Sequence, residues 1–379
     1  MSRPEGVHAG NWRTAPFSPW AFHHVDELLR TQAVPAGSGL PWVHQPASLE
    51  AFHLDLPDGT ALGLERFLAL THTDGLLIAR DGALVCERYR NGHGADRRHA
   101  LMSTSKALLG LVGSLLARRG DVRLDTPVAA YLPELAHTGY AGATLRNLLD
   151  MRAGVRLDAR QQGAYEAAIH RDRTAPAAPG LHALLAAVPA STLEHGGGFD
   201  YLSAHSDVAA WAMERATGQP FAALASELLW RASGAQEQAR LIVDGQGAAW
   251  AAGGWCTTAR DLARVGHWLL HREPGLLDDL LHGGDPAAWR DGAWAQAFAG
   301  ISRDMRYRAG WFAVHEEPGY LFAMGVHGQN LFIDPATGVV IVKLSSQPER
   351  VDGKLLGWTH QAARSLFRLV GAQARTVPA

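Results

Sequence analysis

From Ser103 to Arg119 the chain carries Leu108, Leu109, Leu111, Val112, Leu115 and Leu116 at helical spacing, with Gly120 as the stop. So apolar a helix has to be largely buried, and other elements must enclose it. Upstream, Leu76-Leu77-Ile78-Ala79 and Ala83-Leu84-Val85-Cys86-Glu87-Arg88-Tyr89 flank the pair Asp81-Gly82, which predicts a β-hairpin. From about Leu124 to Leu270 helical signals dominate, with helices expected over Leu145–Met151, Asp207–Thr217, Phe221–Arg231 and Thr258–Leu270. Strands return at Tyr307–Val314, Tyr320–Met324, Leu331–Ile333 and Val339–Leu344, and a last helix is expected over Leu355–Leu369. The fold class this implies is α/β of the α+β kind: an antiparallel sheet built from N- and C-terminal parts, flanked by helices, with an inserted, mainly helical lobe. The expected division is residues 1–123 with 251–379 for the sheet domain and 124–250 for the lobe. Arg160 to Gly180, rich in Ala, Gln and Arg, reads as a surface loop or lid.

A chain of 379 residues with 47% hydrophobic and 19% charged residues has ample material for such a core. No apolar run reaches the roughly 20 residues of a membrane span. Lys plus Arg number 35 against 37 Asp plus Glu, and a net charge of −2 gives no electrostatic reason to expect nucleic acid or an anionic membrane as partner. A small-molecule substrate fits better, and a homodimer is left open. Met1 to Gly10 lacks the pattern of an export signal, so a cytoplasmic location is expected. Cys86 and Cys256 are too few for a disulfide framework and read as buried thiols. The 19 histidines show no zinc-motif spacing and read singly as core or surface residues, with no metal and no cofactor expected.

Only three lysines occur, at 106, 343 and 354. Arginine does not give up its proton in practice, whereas a buried lysine can be tuned to do so, which directs attention to Lys106. It closes Ser103-Thr104-Ser105-Lys106 at the mouth of the apolar helix. Three residues along a helix put Ser103 and Lys106 on one face, within hydrogen-bonding reach, while Ser105 and Lys106 cannot face each other. A serine hydroxyl needs such help to become a nucleophile, and the free N–H groups of the helix start favour the negative charge that develops. The bland reading of an isolated S-x-x-K is a capping serine followed by a solvated lysine, but the apolar flanks of Lys106 bury it.

With these residues in view the chain resembles the serine β-lactamase, penicillin-binding and esterase superfamily. Ser103 to Lys106 matches its first motif, and Leu124-Asp125-Thr126-Pro127-Val128 with Tyr131-Leu132-Pro133 resembles the segment that follows. Gly196-Gly197-Gly198-Phe199-Asp200-Tyr201-Leu202-Ser203 is similar to the Tyr-x-Asn motif with Ser203 in place of Asn. The stretch from Trp255 to Arg264 also resembles the family. Asn11-Trp12-Arg13, Trp20 to His24, Leu148-Leu149-Asp150-Met151 and Gly325-Val326-His327-Gly328-Gln329 are closest to 6-aminohexanoate-dimer hydrolases and their esterase relatives.

The resemblance implies a serine hydrolase with Ser103 as nucleophile and Lys106 and Tyr201 as its proton-handling partners. It places Ala323-Met324-Gly325 at the third motif, usually Lys-Thr-Gly. The lost cation argues against β-lactamase or D-alanyl-D-alanine carboxypeptidase activity. In that register the backbone N–H of Val326 joins that of Ser103 in the oxyanion hole. A second register, with His327 at the cation position, moves this donor to Asn330. Ser203, Gly325, His327 and Gln329 are the expected substrate contacts, and Asp158, Glu166 and Asp172 are candidates to hold a cationic substrate end. A non-catalytic binding protein on the same scaffold is the rival from another class.

Overall fold

The computed structural model of the chain describes residues 2–373 apart from 171, 175–178, 192 and 318. An eight-stranded sheet draws on both ends of the sequence: β1 (Val43–His44), β2 (Thr73–Arg80), β3 (Ala83–Tyr89), β4 (Met305–Arg308), β5 (Trp311–Val314), β6 (Tyr320–Gly325), β7 (Gln329–Asp334) and β8 (Val339–Ser345). Their spatial order is β4-β5-β6-β7-β8-β2-β3-β1, and every pairing is antiparallel except β1 with β3. Strands β8 and β2, one from each end of the chain, pair from Val339 opposite Arg80 to Ser345 opposite Thr73. Both faces of this central pair are covered, which is why the two strands read as continuous apolar runs. Leu77, Ala79, Val340 and Val342 enter one core, and Leu76, Ile78, Val339 and Ile341 the other, as period-two alternation requires.

On the first face lie α1 (Ser105–Arg119) and, later in the chain, α4 (Ala259–Arg272), while α5 (Gly353–Gly371) packs Leu366, Phe367 and Val370 on the second. Between α1 and α4 run shorter helical pieces and the helices α2 (Ala159–Ile169) and α3 (Ser203–Thr217). The mixed α/β architecture expected from the sequence is therefore present, with the mostly antiparallel sheet and the helical region in their expected places. The hairpin turns at Asp81 and Gly82, with φ of +49° and +85°, the left-handed pair that a tight two-residue connection between twisted strands demands.

Three local expectations fail for physical reasons. The single strand expected over Tyr307–Val314 is two strands, because Ala309 and Gly310 take φ of +47° and +85° and turn the chain back on itself. The first part of the loop expected over Arg160 to Gly180 is helix α2, as far as Ile169; Ala, Gln and Arg are good helix formers, and Asp158 with Gln161 makes a reciprocal capping box at its start. Residues 171 and 175–178 of that stretch lie outside the described residues. A second sheet was not anticipated, in the order Thr31–Val34, Ala239–Ile242, Trp255–Thr257, His99–Ala100. Its strands are too short to show a periodicity. It matters for the site, because Leu101 N donates to Trp255 O at 2.8 Å and so guides the chain into Ser103.

No described helix is long and apolar enough to cross a membrane. Cys86 and Cys256 are free and buried, and burial pushes their thiols up to about 11 and about 12.

Under α5, His360 places Nδ1 2.8 Å from the Tyr320 hydroxyl with its ring against Phe322 and Phe332. Burial, assisted by Arg364, pushes this imidazole down to about 3. The unfolded chain takes up the proton near the ordinary value of about 6.5 and the folded chain does not, so stability is fully present above that pH and is lost as pH falls toward 3. Between pH 7 and pH 5 this one group is expected to remove about 2 kcal/mol. Urea denaturation at both pH values is expected to show a smaller difference for His360→Asn than for the wild type; equal differences would contradict the assignment.

Candidate active site

The chain enters α1 through a tight turn. Met102 to Thr104 form a 3-10 turn ahead of α1, and Met102 holds φ at +49°, a left-handed conformation that a non-glycine residue adopts at a cost of order 1 kcal/mol. Ser103 then lines a cleft of about 280 Å³ together with Lys106, Tyr201, Ser203, Gly325 and Val326. A roomier hollow of about 740 Å³ beside Pro179, His182 and Glu214 contains none of these groups, so volume is a poor guide to the chemistry here.

Lys106 is 2% exposed, and its ammonium donates to Ser103 Oγ at 3.1 Å, Ser203 Oγ at 3.1 Å and the carbonyl of Ala252 at 2.8 Å. All three hydrogens are thus used, which is what makes a buried ammonium tolerable. Tyr201 lies with its ring centroid 4.8 Å from the same nitrogen and stacks on Trp294 at 4.4 Å. Behind Ala252 stands Asp207 of α3, accepting from the Ala252 N–H at 2.9 Å and from the Tyr165 hydroxyl. Burial pushes the Asp207 carboxyl up to about 7, against the pull of these hydrogen bonds and of Lys106.

The C-terminal end of β6, an interior strand of the sheet, closes the cleft. A Cβ on Gly325 would come within 2.5 Å of Leu101 O and 2.9 Å of Ser103 N, so only glycine lets β6 pass so near the backbone of Ser103. Of the two registers considered for the third motif, Ala323-Met324-Gly325 is the one that brings its residues to Ser103: Met324, Gly325 and Val326 line the cleft. Asn330 pairs with Met324 in the sheet and is not among the lining residues.

His327 and Gln329 do not reach the cleft, contrary to expectation. His327 is buried with Nδ1 2.8 Å from Gln347 O, and Gln329 spends its amide on Ser345, accepting from the backbone N–H at 3.1 Å and donating to the carbonyl at 2.6 Å. Both therefore tie the chain that follows β6 to the backbone at the end of β8, at Ser345 and Gln347. Asp158 caps α2 and Asp172 is exposed and bonded to Thr174, so neither faces the cleft. Glu166 does line it, but it already holds Arg13 at 2.8 Å and His170 at 3.1 Å, and these partners, His170 first, bring its carboxyl down to about 2. Trp12 Nε1 faces His170 Nδ1 at 3.4 Å, leaving the proton of the neutral ring on Nε2, toward Glu166.

Sequence reasoning missed Tyr165, Trp250, Trp294, Tyr307 and Arg350, all on the cleft wall. They come from separate parts of the chain, and no local spacing marks them. Among the described residues, the one group of side chains placed to share a metal is His23, Asp74 and His99, none of which lines the cleft.

The fold and this site define the class. The sequence profile of the β-lactamase family matches residues 68–364, and the chain belongs to that family of hydrolases. It is 35% identical over 371 residues to the 6-aminohexanoate-dimer hydrolase of Paenarthrobacter ureafaciens, covering 92% of this chain and 91% of that one. A Bacillus anthracis structure assigned as a 6-aminohexanoate-dimer hydrolase superimposes with a TM-score of 0.79 at 24% identity, covering 95% of this chain and 97% of that one. EstCE1, a hydrolase with promiscuous acyltransferase activity, shares the fold at a TM-score of 0.60 and 17% identity, over 79% of this chain and 96% of its own.

The turn at Ala309-Gly310 sets the height of α1 over the sheet. A Cβ on Gly110 would lie 1.7 Å from Ala309 O, so Gly110→Ala must push α1 away from the sheet. Shifts of this order cost up to about 100-fold in rate. Gly110→Ala is expected to lose at least about tenfold in ester turnover, whereas Gly163→Ala, whose Cβ meets open space, keeps wild-type turnover. Nitrophenyl ester assays of both variants make the comparison, and unchanged turnover in Gly110→Ala would contradict it.

Proposed function

We propose that this chain is a serine hydrolase that cleaves a small-molecule amide or ester through an acyl-enzyme on Ser103, in the manner of a 6-aminohexanoate-dimer hydrolase. The observation that carries the reading is the hydrogen-bonding of Lys106: an ammonium that donates to Ser103, Ser203 and Ala252 is no base in this state. That leaves proton removal to Tyr201, whose ring lies 4.8 Å from the same nitrogen on the wall of the same cleft. Tyr201 takes the proton of Ser103 as Oγ attacks a carbonyl held by the N–H groups of Ser103 and Val326. The tetrahedral intermediate collapses to the acyl-enzyme while Tyr201 passes its proton to the leaving nitrogen or oxygen. Water then enters and gives a proton to Tyr201 as its oxygen attacks the acyl carbon, and Tyr201 returns that proton to Ser103 Oγ as the acid leaves.

Charge at the cleft wall bears on the substrate. Arg13 and Arg350 face one carboxylate, Glu166, whose charge Arg13 already balances while the neutral His170 ring only hydrogen-bonds it. The remaining positive charge suits a carboxylate end of the substrate rather than the cationic end first considered for Glu166. The apolar position of Ala323, where a lysine would hold the carboxylate of a β-lactam, keeps the reading away from antibiotics.

Kinetics of three variants test this. Ser103→Ala is expected to lose at least about 1,000-fold in turnover of p-nitrophenyl butyrate with its circular dichroism unchanged, and Tyr201→Phe about 100-fold or more. Arg350→Ala is expected to raise KM for a 6-aminohexanoate amide that ends in a carboxylate, while leaving KM for the uncharged ester as it was. Wild-type turnover in Ser103→Ala would overturn the mechanism, and nitrocefin hydrolysis faster than amide hydrolysis would overturn the substrate class.

A further inference from the structure

Beneath the strand that leads to Ser103 lies a buried cluster that the hydrolase chemistry does not use. His23 follows the short helix Ser18–Ala21, Asp74 belongs to β2, and His99 sits four residues before the nucleophile. The potential ligand atoms of these three residues all lie within 4.8 Å of one another. His99 Nε2 is 3.1 Å from Asp74 Oδ2, close to the roughly 3.3 Å edge of a tetrahedral shell with bonds of about 2.0–2.1 Å.

The hydrogen-bond inventory asks for a cation at this point. His99 Nδ1 lies 2.9 Å from Ala100 O, a contact that only an N–H can satisfy, so the neutral ring turns a lone pair on Nε2 toward the carboxylate. Asp74 Oδ1 is already taken by Asn91 at 2.8 Å and Ser346 at 3.1 Å, which leaves Oδ2 for whatever joins it to His99. A proton on His99 would account for that pair alone. It would not account for the two rings beside it. His93 is 8% exposed and stacks on His23 at 4.8 Å, and among the described residues neither ring nitrogen of His93 or of His23 is hydrogen-bonded, although the Arg98 main chain faces His23. Orphaned buried nitrogens of this kind are costly unless something satisfies them. Gly75 makes room for the cluster, since a Cβ there would meet the His93 ring at 2.8 Å. The buried Lys343 ammonium is bonded to Ser345 Oγ at 2.6 Å.

We propose that His23, His99 and Asp74 bind a zinc ion, with His93 beside the fourth position. Two imidazoles and one carboxylate in a closed, buried setting suit Zn²⁺, and the backbone carbonyl on His99 Nδ1 is the outer contact that orients a ligating ring. The site is structural. It fastens the N-terminal segment, through His23, to the central strand β2 and to the segment that positions Ser103. Backbone bonding already follows that path, with Ala100 N donating to Phe22 O at 2.9 Å. Spacing could not have revealed the site, because its ligands are distant in sequence, so the expectation that each histidine stands alone is replaced here by a cluster.

The test uses untagged full-length protein stripped with a chelator and titrated with Zn²⁺ and with Co²⁺ as a visible probe. The wild type is expected to bind one metal per chain, to show the intense visible bands of tetrahedral Co²⁺, and to gain Tm with Zn²⁺. His23→Gln and His99→Gln are expected to weaken binding by at least about tenfold and to lose the Tm gain. A wild type that neither binds Zn²⁺ nor gains Tm would overturn the proposal without any variant being needed. So would a His23→Gln protein that binds as tightly as the wild type.

Discussion

A buried ammonium is tolerable only where each of its hydrogens meets an acceptor, and the surroundings of Lys106 are arranged around that need. Ser103 supplies one acceptor from the preceding turn, Ser203 another from the start of α3, and Ala252 the third from the segment before the second sheet. Three distant parts of the chain therefore converge on one nitrogen. The fixing extends outward: Asp207 holds the Ala252 N–H, and Tyr165 holds Asp207. Removing any acceptor would strand a charge in the interior, which is far more costly than losing an ordinary contact.

Close backbone approach is the second constraint, because Ser103 sits against the C-terminal end of β6. Gly110 and Gly310 let the β4–β5 turn press on α1, and Gly325 lets β6 reach Ser103. The β4–β5 turn is itself anchored, since Asp150 accepts from Ala309 N at 2.9 Å and from Arg308 at 3.0 Å. Asp150 thus ties the Leu148-Leu149-Asp150-Met151 segment to the turn that sets the helix height. Its role is positional, and that explains a family-like motif with no group in the cleft.

Much of this was legible in the sequence. The buried helix, the S-x-x-K pair, the hairpin at Asp81-Gly82 and the Gly-rich approach to Tyr201 all rest on local patterns, and Ser103, Lys106, Tyr201 and Ser203 are indeed brought to one cleft. What was not legible depends on long-range geometry. Tyr165 and Arg350 enter the wall from elements whose docking no periodicity encodes. His327 and Gln329 look functional because polar residues in a glycine-rich turn invite that reading, yet their side chains are spent on buried backbone groups of Ser345 and Gln347 at the end of β8. Ala309-Gly310 hid inside an apolar run because a left-handed alanine carries no compositional signal.

The central claim, that Lys106 and its neighbours make Ser103 and no other serine the nucleophile, is tested most directly by covalent labelling. Ser105 is the control within the same motif, since its hydroxyl accepts from Trp255 N at 3.2 Å and points away from the cleft lining. The measurement is intact-mass spectrometry after a fluorophosphonate probe, followed by peptide mapping. The account predicts a single adduct, on Ser103, that disappears when Lys106 is replaced by Ala. An adduct on another serine, or ester hydrolysis that continues in a protein the probe has not labelled, would contradict it.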